Sequence, residues 1–270
     1  MKLAAIDLDG TLLDRRGNIP QQNIEALQNF SKQGGVVTIA TGRNSISAKE
    51  VFEELGIDGY LISSNGSFVA EMKKGAIAHV LKRASIEIST LKHAFFLAQK
   101  AKISIIASRE TQDDQLTFDE ANLVKDDPYY QHFNLQHQTF DEIVKLLEDP
   151  SLSYLKLALT DKEEKKLKKL QQDLKKAGID SVFSDPHFLE ITPKDVTKAH
   201  SLLFLADHLK IEPHEIVAFG DQENDLAMLK VSGTSIAMGN AQEQVKFLAD
   251  KVTKTNEEAG VAAIINSYCG

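Results

Sequence analysis

The chain has 270 residues and a formal charge of −8, from 31 basic and 39 acidic side chains. An acidic chain lacks the basic footprint of a dedicated nucleic-acid binder, and 42% apolar with 26% charged residues describes a globular protein, not a disordered one. No apolar run approaches the roughly 18–20 residues of a membrane span, and the single cysteine, Cys269, excludes an internal disulfide framework. Neither nucleic acid nor membrane is therefore an expected partner. The opening segment MKLAAIDLDGTLLD carries Asp7 and Asp9 where a signal peptide needs an unbroken apolar stretch, so the expected location is the cytoplasm.

Short apolar runs alternate with amphipathic stretches from the start. Leu3–Ile6 reads as a buried strand. Residues 20–33 read as a helix with Ile24, Leu27 and Phe30 on one face, closed by Gly34-Gly35. Val36–Ala40 is a continuously apolar strand, 44–55 a helix stopped at Gly56, and 60–63 a third strand. Residues 68–81 predict a hairpin turning at Lys73-Lys74-Gly75.

The middle of the chain has more strands and fewer crossovers. It reads as a helix over 91–98, a strand KISIIAS, a second strand QLTFDE, a helix over 141–147 and a strand over 154–160. A helix over 161–176 follows, with Asp161 as its N-cap and Glu164 at the capping-box position. SVFS and FLEIT read as adjacent strands, and Asp113-Asp114 and Asp126-Asp127-Pro128 as loops. The lysine-rich run KEEKKLKKLQQDLKK reads as a solvated helix face.

The alternation then returns. VTKAHSLLFLADHL is a helix, EIVAF a strand, 224–230 a helix, TSIAM a strand, EQVKFLA a helix and KVT a last short strand. Strands alternating with helices imply crossover units and a parallel sheet covered on both faces. The expected architecture is α/β, a doubly wound core formed by residues 1–82 and 193–270 with an α+β insertion over 83–192.

The chemistry-bearing residues gather at strand ends. Asp7-Leu8-Asp9-Gly10-Thr11 follows the first strand directly. Residues two apart in an extended segment point the same way, so both carboxylates are expected to face one site, and Gly10 permits a sharp turn past it. Ligands of open parallel sheets bind beyond the carboxyl ends of the strands. Paired acids there suit a divalent cation, Mg²⁺ first because the ligands are hard oxygens. An Asp-Gly turn alone would be the plain alternative. Thr41-Gly42-Arg43 follows the second strand, where a hydroxyl and N–H groups at a helix start suit phosphate oxygens. Ser64-Asn65-Gly66 follows the third, and Gly220-Asp221-Gln222-Glu223-Asn224-Asp225 follows EIVAF. Ordinary helix capping explains each alone, Asp221 as an N-cap included, but not the whole set in this order.

DLDGTLL, ATGR, Lys198 in DVTKAHSL, and GDQENDLAML resemble the motifs of the haloacid dehalogenase (HAD) superfamily of phosphatases. SNG at Ser64, AMGNA and the closing EEAGVAAII extend the resemblance, which is strongest to the Cof-like sugar-phosphatase branch. Alanine follows Lys198 where glycine is frequent in the family. The resemblance implies a Rossmann-like core with a large α/β cap, and a Mg²⁺-dependent phosphatase of small phosphorylated metabolites such as sugar phosphates. It implies Asp7 as nucleophile and Asp9 as general acid and base. The Asp7 and Asp221 side chains and the Asp9 carbonyl would hold the metal. Thr41, Lys198, Asn224 and the N–H groups of Leu8, Asp9 and Gly42 would bind the phosphoryl group, with Asp225 behind them orienting Lys198 or metal-bound water.

Two other readings remain open at this point. One is a phosphomutase of the same superfamily; the other is a phospho-receiver or ligand-sensing module without turnover. Receiver domains are ordinarily shorter and lack a second acid followed by Gly-Thr. Arg43 reads as an early-helix surface residue ahead of a substrate contact, Asp14 as part of a mobile segment, and His132 and His137 as surface histidines. Tyr129-Tyr130 divides evenly between a substrate-facing pair and insertion core.

Overall fold

The computed structural model describes residues 1–126, 130 and 133–268. Asp127, Pro128, Tyr129, His132 and Cys269 lie outside the described residues. In chain order the elements are β1 (Leu3–Ile6), α1 (Gln21–Lys32), β2 (Val36–Ala40), α2 (Ser45–Leu55), β3 (Gly59–Ser63), β4 (Phe68–Lys73) and β5 (Ala76–Arg83). Next come α3 (Ile88–Ala101), β6 (Ser104–Ser108), β7 (Asp113–Leu116), β8 (Leu135–His137), α4 (Phe140–Leu146), β9 (Lys156–Thr160), α5 (Glu164–Lys176), β10 (Val182–Asp185) and β11 (Phe188–Ile191). The chain closes with α6 (Lys198–Leu209), β12 (Ile216–Gly220), α7 (Leu226–Val231), β13 (Thr234–Ala237), α8 (Glu243–Leu248), β14 (Lys251–Val252) and α9 (Gly260–Ile265).

These elements form two compact units, Met1–Arg83 with Val196–Gly270, and Ala84–Asp195. The first unit holds an eight-stranded sheet in the order β14-β13-β12-β1-β2-β3-β4-β5. It is parallel from β14 to β3, with β4 and β5 added antiparallel. β1 and β12 are buried along their whole length, as strands covered on both faces must be, which is why they read as unbroken apolar runs. β1 sits between β2 and β12, with Leu3 opposite both Val36 and Ile216. The chain winds outward through β2 and β3 on one side and through β12, β13 and β14 on the other. The carboxyl end of β1 is thus the point where the strand order reverses, the usual ligand position in such sheets.

The second unit holds a six-stranded sheet, β10-β11-β9-β6-β7-β8. Its pairings are antiparallel except β7 with β8. Leu91, Phe95 and Ala98 of α3 and Leu167, Leu170 and Leu174 of α5 bury one apolar core with Ile105, Leu157, Leu159 and Leu189. The opposite faces of α5 carry the lysines, so its run is a helix surface.

Three local expectations need correction. Asp113 and Asp114 are not a loop; they lie inside β7 and are buried. Asp114 accepts hydrogen bonds from Arg109 Nε (2.8 Å), Gln112 (3.1 Å), Gln138 (3.0 Å) and the Tyr154 hydroxyl (2.6 Å). Partners brought by the fold offset the cost of burying an acid, which local preference cannot foresee. Asp161 does not cap α5: Glu163 occupies the N-cap without a side-chain bond. Asp161 instead accepts from the Glu163 N–H (2.8 Å) and from Lys166 (3.2 Å), closing a turn ahead of the helix. The helix expected over 224–230 starts only at Leu226, after a 3-10 turn at Glu223–Asp225, because the Asp225 carboxylate bonds back to the N–H groups of Asp221 and Gln222.

Candidate active site

β1 ends at Ile6, and the alternation expected to aim Asp7 and Asp9 together ends with it. The N–H groups of Thr11, Leu12 and Leu13 turn back to the Leu8 carbonyl at 3.2, 3.0 and 3.0 Å. Gly10 takes φ +79°, and a Cβ there would sit 2.3 Å from Asp221 Oδ2. Glycine is needed for both the turn and the close approach. The two acids meet different cations. Asp7 faces Lys198, whereas Asp9 is gripped by Arg43.

Asp7, Asp221 and Asp225 each offer a carboxylate oxygen within 4.8 Å of the others, and all three are buried. Asp221 follows β12, the parallel neighbour of β1, so adjacent strand ends supply two of these acids. Thr11 Oγ1 donates to Asp221 Oδ1 at 2.8 Å. Lys198 is the first residue of α6 and only 1% exposed. Its Nζ donates to Asp7 Oδ1 at 2.6 Å and to Asp225 Oδ1 at 2.7 Å. Two features hold that helix start in place. The Thr197 side chain caps it through the His200 N–H, and Ser201 Oγ donates to the Gly66 carbonyl at 2.6 Å. A Cβ on Gly66 would lie 2.3 Å from the Thr197 carbonyl oxygen, so this helix start packs directly on the Ser64-Asn65-Gly66 turn.

Thr41, at the end of β2, is fully buried; its Oγ1 accepts from the Arg43 N–H (3.1 Å) and its carbonyl from the Asn65 N–H (3.0 Å). Gly42 lies between Thr41 and Arg43, and Leu8 is fully buried with its carbonyl engaged by the turn. Asn224 Nδ2 donates to Asn65 Oδ1 at 3.2 Å, which joins the turn after β3 to the one after β12. Three further residues join the site without a role of their own in the sequence reading. Thr11 was visible only as part of DLDGT, and Asn65 only as a polar strand end. Arg43, expected at the surface, is buried beside Asp9, because the backbone after β2 turns it inward.

Asp14 accepts from the N–H groups of Arg16 (2.8 Å) and Asn18 (2.9 Å), so it closes a turn. The segment around it is tied down, with Asn240 Nδ2 on the Gly10 carbonyl (2.7 Å) and Asn256 Nδ2 on the Leu13 carbonyl (2.8 Å). His137 is exposed on β8, and Tyr130 is buried with its hydroxyl accepting from Gln115.

Electrostatically the cluster is unbalanced: three buried acids face one lysine. Burial, then the neighbouring Asp225, pushes Asp7 up to about 8. Burial, then Asp7 and Asp225, likewise raises Asp221 well above the usual carboxylate range. Burial opposes the Lys198 charge, but Asp225 and Asp7 outweigh it and hold the ammonium above its ordinary value. Surplus negative charge among hard oxygen donors fits a divalent cation. Asp225 is the poorest ligand of the three, since Lys198 takes one oxygen and two backbone N–H groups the other.

A family model for haloacid dehalogenase-like hydrolases matches residues 4–265. The chain is 32% identical over 278 residues to phosphatase YwpJ of Bacillus subtilis (strain 168), covering 97% of this chain and 98% of the relative. It is 30% identical over 250 residues to HMP-PP phosphatase of Serratia proteamaculans (strain 568), covering 92% and 87%. A solved haloacid dehalogenase-like hydrolase from B. subtilis superposes with a TM-score of 0.87 at 26% identity, covering 98% and 99%. The HAD subclass IIB sugar phosphatase BT4131 superposes with a TM-score of 0.83 at 25% identity, covering 99% of both chains.

The chain belongs to the haloacid dehalogenase superfamily, in its Cof-like branch. Within that superfamily it is a phosphoric monoester hydrolase. Among the described residues no helix is long and apolar enough to cross a membrane.

Proposed function

We propose that the protein is a Mg²⁺-dependent phosphatase that hydrolyses small phosphorylated metabolites, sugar phosphates among them, through an aspartyl-phosphate on Asp7. The observation that carries this reading is the Lys198 Nζ lying 2.6 Å from Asp7 and 2.7 Å from Asp225, in a buried cluster with Asp221. Such a site can accept the charge of a phosphoryl group and deliver a carboxylate to it.

Asp7 attacks phosphorus in line, and the ester P–O bond breaks. Asp9 gives a proton to the leaving alkoxide. Asp9 then removes a proton from water, which attacks the acyl-phosphate, releases phosphate and restores the Asp7 carboxylate. Lys198 pairs with Asp7 and with the phosphoryl oxygens. Thr41, Asn224 and the N–H groups of Leu8, Asp9 and Gly42 hold those oxygens in place. The Asp7 and Asp221 carboxylates and the Asp9 carbonyl would hold the metal. When bound, the ion supplies positive charge that keeps both acids ionised and offsets the phosphoryl charge. Asp225 keeps Lys198 and the turn after β12 oriented.

We assign this chemistry to residues 1–82 and 193–270, and the choice of substrate to residues 83–192. The sugar phosphatase BT4131 and HMP-PP phosphatase support a small phosphorylated substrate. The test is phosphate release from p-nitrophenyl phosphate and from a panel of sugar phosphates. Wild-type protein with Mg²⁺ should turn over, EDTA should stop it, and Asp7→Asn should be inactive yet folded. Full activity in Asp7→Asn would overturn the assigned nucleophile.

A further inference from the structure

Arg43 is the buried partner of the acid assigned to proton transfer. Its side chain is 7% exposed, against 33% for Asp9. Its Nε donates to Asp9 Oδ2 at 2.9 Å and its Nη2 to Asp9 Oδ1 at 2.5 Å. A guanidinium fork on both oxygens of a carboxylate fixes position and orientation together. The arginine backbone is itself anchored. Its N–H donates to Thr41 Oγ1 at 3.1 Å, and its carbonyl accepts from the Ser64 N–H at 2.8 Å. Asp9 lies in the turn beyond β1, bridged to Leu13 and next to Gly10 at φ +79°, and its side chain is the more exposed of the two. Arg43 is the fixed member of the pair and Asp9 the member it orients.

We propose that Arg43 is a positioning residue for Asp9: it holds the carboxylate by both oxygens in the free protein and, when one oxygen carries the proton it is to deliver, keeps the other bonded so that the acid stays aimed at the leaving-group oxygen. The inference rests on the phosphatase reading and adds the group that controls its proton donor. A general acid must come within about 2.6–3.2 Å of the atom it protonates. An oxygen that carries the proton accepts poorly from the guanidinium, so one arm of the fork lets go as the acid forms while the other holds. A planar fork has a second donor to retain; a lysine ammonium carries the charge without the fork, and a glutamine amide carries neither.

The test compares kcat and KM for p-nitrophenyl phosphate, whose leaving group needs little proton assistance, with those for phenyl phosphate, whose leaving group needs more. Arg43→Gln should lower kcat for phenyl phosphate about 100-fold, the low end of general-acid contributions, and for p-nitrophenyl phosphate far less, with KM little changed for both. Arg43→Lys should show the same selectivity at smaller amplitude, and it keeps the charge should the glutamine variant fold poorly. The Asp9→Asn/Arg43→Gln pair should be no slower than Asp9→Asn alone, since the arginine acts through the acid. Equal losses on both substrates, a rise in KM without a fall in kcat, or additive losses in the double variant would overturn the proposal. A wild-type protein that releases phosphate while the double variant is additive sinks this inference alone. A wild-type protein that releases none sinks the phosphatase reading and the inference with it.

Discussion

Both Asp225 oxygens are engaged: Oδ1 meets the Lys198 ammonium, and Oδ2 meets the N–H groups of Asp221 and Gln222. Every partner is a donor, so an amide in its place must turn its own NH₂ toward one of them. Asp225→Asn should therefore displace either Lys198 or the turn that carries Asp221. Losses of about 10–100-fold in metal affinity or activity are typical when such a supporting contact is removed. Mg²⁺ titration of phosphate release measures it, and an unchanged midpoint with unchanged kcat would contradict the role. Gly10 makes a similar point about space. No larger residue fits at 2.3 Å from the Asp221 carboxylate, so the motif's glycine is set by the acid beyond it as well as by its own φ.

At the level of elements, the sheet of Ala84–Asp195 contains a fully buried ion pair, Lys156 on β9 with Glu190 on β11. Breaking such a pair from one side is far costlier than replacing both partners, because the remaining charge stays buried. Lys156→Met should lower unfolding stability by roughly 3–5 kcal/mol. Lys156→Met/Glu190→Leu should recover most of that loss. Denaturant unfolding of the two variants settles it, and a double variant as unstable as the single would show that the pair is not the source. Legibility at this scale follows periodicity. β2 and β12 stand out as short unbroken apolar runs, and α5 because its leucines recur with a helix period. The hairpin of β4 and β5 is announced by Lys74 and Gly75, which take φ +50° and +74°. β7 starts earlier than the strand read at QLTFDE because its two aspartates obey partners from other segments, Asn134 for Asp113 and Arg109, Gln138 and Tyr154 for Asp114, and not the local rule that acids break strands.

For the whole molecule the buried acids tie stability to pH and to metal. Without metal, folded Asp7 holds its proton up to about 8, while the unfolded chain releases it near 3.8. Between those values folded Asp7 binds the proton that the unfolded chain has released, so its contribution to stability is greatest at the acidic end and is lost as pH rises. Asp221 shifts in the same direction. EDTA-treated protein should lose Tm over the upper part of this window, where the carboxylates whose values are lowered, such as Asp14 and Asp250, are already ionised in both states. Added Mg²⁺, which favours the ionised carboxylates, should stabilise most at the alkaline end. Thermal melts with and without Mg²⁺ read both slopes, and a metal-free Tm that climbs through the upper part of the window would contradict the buried-acid account.

The alternation of strands and helices, and the kind of residue at each strand end, belong to the sequence by itself, since propensity, period and capping act over a few residues. Which acid meets which cation does not. Lys198 and Asp7 are 191 positions apart, and they meet because β1 lies between β2 and β12 while α6 starts on Gly66. The same packing gives Asp9 the Arg43 guanidinium, a partner 34 positions away that local alternation does not name. Partner choice at such separations is made by strand order and close packing, and those exist only once the chain has folded.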